Sequence, residues 1–128
     1  MNITPCLSHV SLGSNDFVAA AAFYDRTLAA LGCRRVLEHP GAIGYGRDYP
    51  EFWLQVPIDG QPASPGNGTH VGFFATSKQH HRQALLAGAV DEGAPGSRPH
   101  YGEAYYGCFV RDLDGHKIEA SFWDESAA

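Results

Sequence analysis

Two imidazoles and one carboxylate are the smallest protein set that holds an open divalent metal site. This chain of 128 residues offers candidates for all three. Ser8-His9-Val10-Ser11-Leu12 near the start is echoed by Thr69-His70-Val71-Gly72-Phe73 past the middle. Each run is strand-like, carries a histidine near its start and leads into a helical stretch. A duplicated module can bring two equivalent histidines to one place. Glu119 lies in a third strand-like run, Lys117-Ile118-Glu119-Ala120. A carboxylate between two apolar neighbours is costly to bury unless it meets a cation or strong donors. A metal ion would serve, and so would Arg111.

The elements that must position these residues follow from periodicity and turn chemistry. Residues 6–13 alternate as a strand, and Ser14, Asn15 and Asp16 supply helix-capping oxygens. Phe17, Ala20, Ala21, Tyr24, Leu28 and Leu31 recur at spacings of three and four, one face of a helix that Gly32 ends. Cys33–His39, Ala42–Gly46 and Phe52–Val56 read as strands. Pro57–Gly68 reads as a linker. The second half repeats the order: a strand over His70–Thr76, a helix capped by Ser77, and a short strand over Ala89–Asp91. A loop over Gly93–Gly102 and strands over Tyr105–Val110 and His116–Trp123 complete it. Asp112-Leu113-Asp114-Gly115 is the turn between the last two. The expectation is one α+β domain, residues 1–128, built from βαβββ modules at 1–60 and 66–128.

Bulk properties narrow the function. A net charge of −5 without basic runs argues against nucleic acid and anionic membrane as partners. No apolar run reaches the ~18 residues of a membrane span, and no secretory signal opens the chain. Cys6, Cys33 and Cys108 are odd in number and lack C-x-x-C spacing, which suggests free thiols in a reducing cytoplasm. The glycosylation sequons at Asn2 and Asn67 are then chance matches. His80 and His81, beside Lys78 and Arg82, read as a solvated helix face. His100 lies in the long second-module loop, where binding groups often sit. Tyr105 and Tyr106 alternate, so one faces a cleft and the other packing, and Phe52 and Trp53 pose the same choice.

Three segments carry a family resemblance. His9-Val10 with Phe23-Tyr24 and Leu31-Gly32 is similar to the H-x…F-Y…L-G opening of the vicinal oxygen chelate superfamily, the glyoxalase and bleomycin-resistance group. Gly68–Phe73 resembles its central strand. Phe109–Gly115 followed by Ile118-Glu119 resembles its D-P-D-G-x-x-x-E ending. The resemblance implies two βαβββ modules forming a curved mixed sheet around a metal and substrate cleft, in a homodimer. It implies metal ligands at His9, Gln55, His70 and Glu119, with Gln55 placed by matching Leu54-Gln55 to Ile118-Glu119. It also implies one divalent ion (Zn, Ni, Fe or Mn) and a glyoxalase-I-like, lactoylglutathione-lyase-type isomerase in which Glu119 is catalytic. Trp53, Tyr105, Tyr106 and His100 are the candidate substrate contacts. A neutral amide at Gln55 departs from the paired carboxylates of glyoxalase chemistry. Two further readings stay open. One is a bleomycin-type binder lined by aromatics such as Phe73 and Trp123. The other is an extradiol dioxygenase, disfavoured by Phe109 and Leu113 at positions where that group carries Tyr and Pro.

Overall fold

In the computed structural model, which describes residues 5–75, 79–97 and 105–123 with the side chains of Tyr105 and Trp123 excepted, the two halves of the chain form matching sheets. The first half gives β1 (Val10–Gly13), α1 (Phe17–Ala29), β2 (Arg34–His39), β3 (Ala42–Gly46) and β4 (Phe52–Gln55). The second gives β5 (His70–Phe74), α2 (His80–Leu86), β6 (Val90–Ser97), β7 (Tyr105–Arg111) and β8 (Lys117–Trp123). Strand order is β1-β4-β3-β2 in one sheet and β5-β8-β7-β6 in the other. Each first strand runs parallel to its last strand, and the remaining pairings are antiparallel. The α+β expectation holds, as two open four-stranded sheets rather than one continuous sheet.

Local chemistry accounts for the elements. Asp16 caps α1 by accepting from the Ala19 amide at 3.1 Å. The apolar stripe of α1 buries Ala20, Ala21, Phe23, Tyr24 and Leu28 against Phe52 and Leu54 of β4. Gly32 ends the helix region with φ +78°, a conformation only glycine adopts freely. Val10 and Leu12, Val71 and Phe73, Val110, Ile118 and Ala120 turn their side chains into the core. The alternate residues face away from it, which is the period-2 rule of strands.

The β7–β8 turn locks the halves together. Asp112, only 5% exposed, accepts from the Tyr24 hydroxyl across the interface and from the Asp114 and His116 amides at 2.9 and 2.8 Å. His116 Nε2 lies 2.8 Å from the Gly13 carbonyl, and the Asn15 amide donates to Asp114 at 2.8 Å.

Two sequence expectations need correction. The Gly- and Pro-rich stretch after Asp91 is not a loop from Gly93. It continues β6 to Ser97, with pairing shifts at Asp91/Gly93 and Gly93/Gly96. Bulges absorb the residues that a regular ladder rejects, Pro95 among them. His80 and His81 are not a solvated face either: they are 2% and 7% exposed. His81 Nε2 meets Asp91 at 2.9 Å, whereas His80 Nδ1 has no hydrogen-bond partner among the described residues. Charge on neighbouring residues suggested water, but α2 turns this side inward.

Burial, helped by the adjacent His81, lowers the His80 pKa to about 4. The unfolded chain therefore binds a proton near pH 6.5 that the folded chain refuses until about pH 4. Stability is full above about pH 6.5 and falls as pH drops through that window, by up to ~3 kcal/mol. Urea unfolding at pH 7 and pH 4.5 checks this. His80→Phe should flatten the dependence, and an unchanged pH slope in that variant would reject the assignment.

Candidate functional site

The site is built where the parallel strand pairs begin. Val10 pairs with Phe52 and Val71 with Ile118, so the two halves share one register at this edge. His9 directly precedes β1, and His70 is the first residue of β5. Both histidines line a single cavity of about 450 Å³. Leu28, Tyr45 and Phe52, all fully buried, form its floor, and Val10, Val71 and Phe73 its walls. Arg47 and Glu51 line it as well.

Glu119 stands beside His70, with Nε2 to Oε1 at 3.2 Å. The carboxylate is buried while the imidazole is about half exposed. Opposite Glu119 in the ladder is Gly72, so no side chain covers the carboxylate from β5. Phe109 pairs with Glu119 from β7, and its ring lies edge-on to His70 at 6.4 Å. Arg111 is not the partner of Glu119: it binds Glu92 at 2.8 Å and the Gly115 carbonyl at 3.1 Å.

His9 has a different neighbourhood. Its Nδ1 lies 2.9 Å from Ser8 Oγ, which lies 2.7 Å from the Tyr49 hydroxyl. The chain of contacts orients the ring and leaves Nε2 uncommitted among the described residues.

Register overturns the repeat argument for Gln55. Val10 and Val71 are repeat equivalents, so their partners Phe52 and Ile118 are too. The next residues, Trp53 and Glu119, then correspond, while Gln55 corresponds to Ser121. Matching by residue type is two positions out of step with the ladders. Gln55 closes β4 opposite Gly13 and Ala42 and does not line the cavity. An indole N–H is a donor only, so Trp53 cannot ligate a metal. Trp53 instead stacks on His39 at 5.9 Å with the rings 7° from parallel.

The remaining substrate candidates disperse. Tyr106 packs on Phe122 at 5.3 Å and borders a separate small hollow beside His80. His100 and the side chain of Tyr105 lie outside the described residues. Arg47 and Glu51 carry no signal in the sequence, because they sit in an irregular turn between β3 and β4 that no periodicity marks.

Whether these residues suit a divalent ion can be tested on geometry. Two ligands on one tetrahedral ion stand about 3.4 Å apart. The His70–Glu119 separation of 3.2 Å suits that arrangement as well as a direct hydrogen bond. Among the described residues, however, no group of three or more His, Cys, Asp or Glu side chains is arranged to hold a metal ion. An open site needs three protein ligands, so the described residues fall one donor short of holding an ion alone.

No protein-family model matches the chain, and no curated protein does. Solved structures do. A glyoxalase/bleomycin resistance protein from Albidiferax ferrireducens T118 is 35% identical, with 89% of this chain and 95% of that one covered and a TM-score of 0.77. This chain belongs to the glyoxalase/bleomycin resistance family. Two more distant structures share the fold of this family member. A glyoxalase-related enzyme from Fulvimarina pelagi is 21% identical, covering 90% of this chain and 86% of its own, with a TM-score of 0.68. TioX from Micromonospora sp. ML1 is 22% identical, covering 89% and 97%, with a TM-score of 0.59. The superfamily is the vicinal oxygen chelate group that the His9, His70 and Glu119 motifs resemble.

Proposed function

We propose that this family member binds a small organic molecule in the 450 Å³ cavity shared by His9 and His70. The observation that carries the reading is the cavity itself. It is of ligand size, apolar in floor and wall, and rimmed by a few polar groups, the usual composition of a small-molecule site. Trp53 at the place of a fourth ligand favours binding over glyoxalase-type proton shuttling, which uses carboxylates on both sides. The apolar fluorophore N-phenyl-1-naphthylamine should bind one per chain with enhanced emission. Leu7, 70% exposed at the cavity mouth, can be changed without disturbing the core. Leu7→Arg should weaken the fluorophore at least tenfold, and equal binding by both proteins would refute the site.

A second reading rests on the 3.2 Å His70–Glu119 approach beside a cavity that His9 also lines. In a metal-dependent lyase or isomerase, His70 and Glu119 would hold one divalent ion (Zn, Ni, Fe or Mn) that polarises a bound carbonyl, with His9 a third ligand only after moving closer than it stands among the described residues. Glu119 would then be the one carboxylate able to move a proton. The same ligand set with iron would fit an extradiol-type dioxygenase. Metal analysis of untagged protein separates the readings: about one ion per chain, lost in His70→Ala, supports the metalloenzyme. Either reading goes with a homodimer in the cytoplasm, a reducing compartment in keeping with Cys6, Cys33 and Cys108 forming no disulfide among the described residues.

A further inference from the structure

Arg47 and Glu51 are two opposite charges lining one cavity without neutralising each other. Arg47 Nε and Nη2 donate to the Leu31 carbonyl at 3.2 and 2.7 Å, and Nη2 also reaches the Phe74 carbonyl at 3.2 Å. Those bonds leave both Nη1 hydrogens without a partner among the described residues. They also hold the guanidinium still, so little side-chain entropy remains to be lost when a ligand binds. Glu51 is fixed through its backbone: its amide donates to Tyr45 at 2.9 Å, and its carbonyl accepts from Val10 at 3.1 Å. Its carboxylate makes no ion pair or hydrogen bond among the described side chains, and it does not pair with Arg47. Elsewhere Arg35 and Arg111 do have carboxylates, Asp25 and Glu92. Cys33, on the same cavity wall, reports both charges. Burial pushes its thiol up, Arg47 opposes that shift and Glu51 adds to it.

We infer that the cavity takes a small zwitterion, an apolar body carrying one carboxylate for Arg47 and one ammonium group for Glu51. The inference rests on the small-molecule reading above. Both side chains are exposed at the cavity rim, so a ligand with one charge would pair with one of them and leave the other to water. A neutral ligand would pair with neither. A zwitterion pairs both, and its apolar part meets the floor.

Three probes of similar shape test this on the full chain by calorimetry at pH 7: L-phenylalanine, 3-phenylpropanoate and 2-phenylethylamine. Phenylalanine should bind at least tenfold tighter than either single-charge probe. Arg47→Gln should cut phenylalanine affinity at least tenfold and leave phenylethylamine unchanged. Glu51→Gln should cut phenylalanine affinity similarly and leave phenylpropanoate unchanged. Circular dichroism melts confirm that both variants fold. Equal affinities for the three probes, or phenylalanine binding within twofold of wild type in either variant, would overturn the inference. If all three probes fail while N-phenyl-1-naphthylamine binds, the zwitterion is rejected and the small-molecule reading survives. If the fluorophore fails too, both fall.

Discussion

Asp112→Ala lowers stability by about 4 kcal/mol, read as a fall in the urea midpoint with an unchanged slope. The carboxylate accepts three hydrogen bonds in a site that is 5% exposed, from the Tyr24 hydroxyl and from the Asp114 and His116 amides. Removing it orphans three donors at once, at roughly 1–3 kcal/mol each before relaxation. Burial, then the Asp112 charge, holds the Tyr24 phenol well above its ordinary pKa, so it remains a donor across the neutral range. The loss also reaches the interface, because the same turn places His116 on the Gly13 carbonyl and Asp114 on the Asn15 amide. Asp112→Asn keeps one acceptor oxygen and should lose about half as much. A loss under 1 kcal/mol in the alanine variant would show that the turn does not join the halves.

Gly46→Ala is the second large effect. A Cβ at this position would lie 1.8 Å from the Tyr49 carbonyl oxygen and 2.9 Å from its carbon. Both are backbone atoms, so the β3–β4 hairpin itself must move. The expected cost is about 3 kcal/mol. The hairpin also carries Arg47 and Glu51, so cavity binding should weaken at least tenfold together with stability. Gly60→Ala is the control. Gly60 has φ +72° and nothing within 4 Å of a Cβ, so only the backbone preference is lost, about 1 kcal/mol. Equal costs at the two glycines would remove steric crowding as the reason for Gly46.

Much of this fold could be read from residue order. The three- and four-residue spacing from Phe17 to Leu31 gave α1, and its buried face contains the expected Tyr24 and Leu28. Asp112–Gly115 is the turn its composition announced, with Gly115 at φ +87°. Two strands have bounds other than expected. β1 begins at Val10, and β6 runs on through Gly93 and Pro95. Neither boundary has a local signal, because pairing with a distant strand decides whether a weak segment becomes part of a ladder.

The site was legible only in part, and the reason is register. Residue types alone single out His70 and Glu119, and the parallel pairing of β5 with β8 then brings the two together. The same logic, applied by residue type to the first half, chose Gln55, while strand pairing gives that place to Trp53. A strand alternates its side chains every residue, so alignment along the chain says which residues share a face. It does not say how far one strand has slid past another.

Periodicity, turn chemistry and residue type were enough for the α+β class, the repeated order of elements and the pairing-prone acid at Glu119, while the family rests on the motif resemblance and on the 35% identical structure. Only the tertiary structure decided that His80 and His81 are buried, that Arg111 serves Glu92 rather than Glu119, and that Arg47 and Glu51 share a cavity with both repeat histidines. Those outcomes depend on which surfaces meet in space, and meeting in space is fixed by packing and hydrogen bonds between segments far apart along the chain.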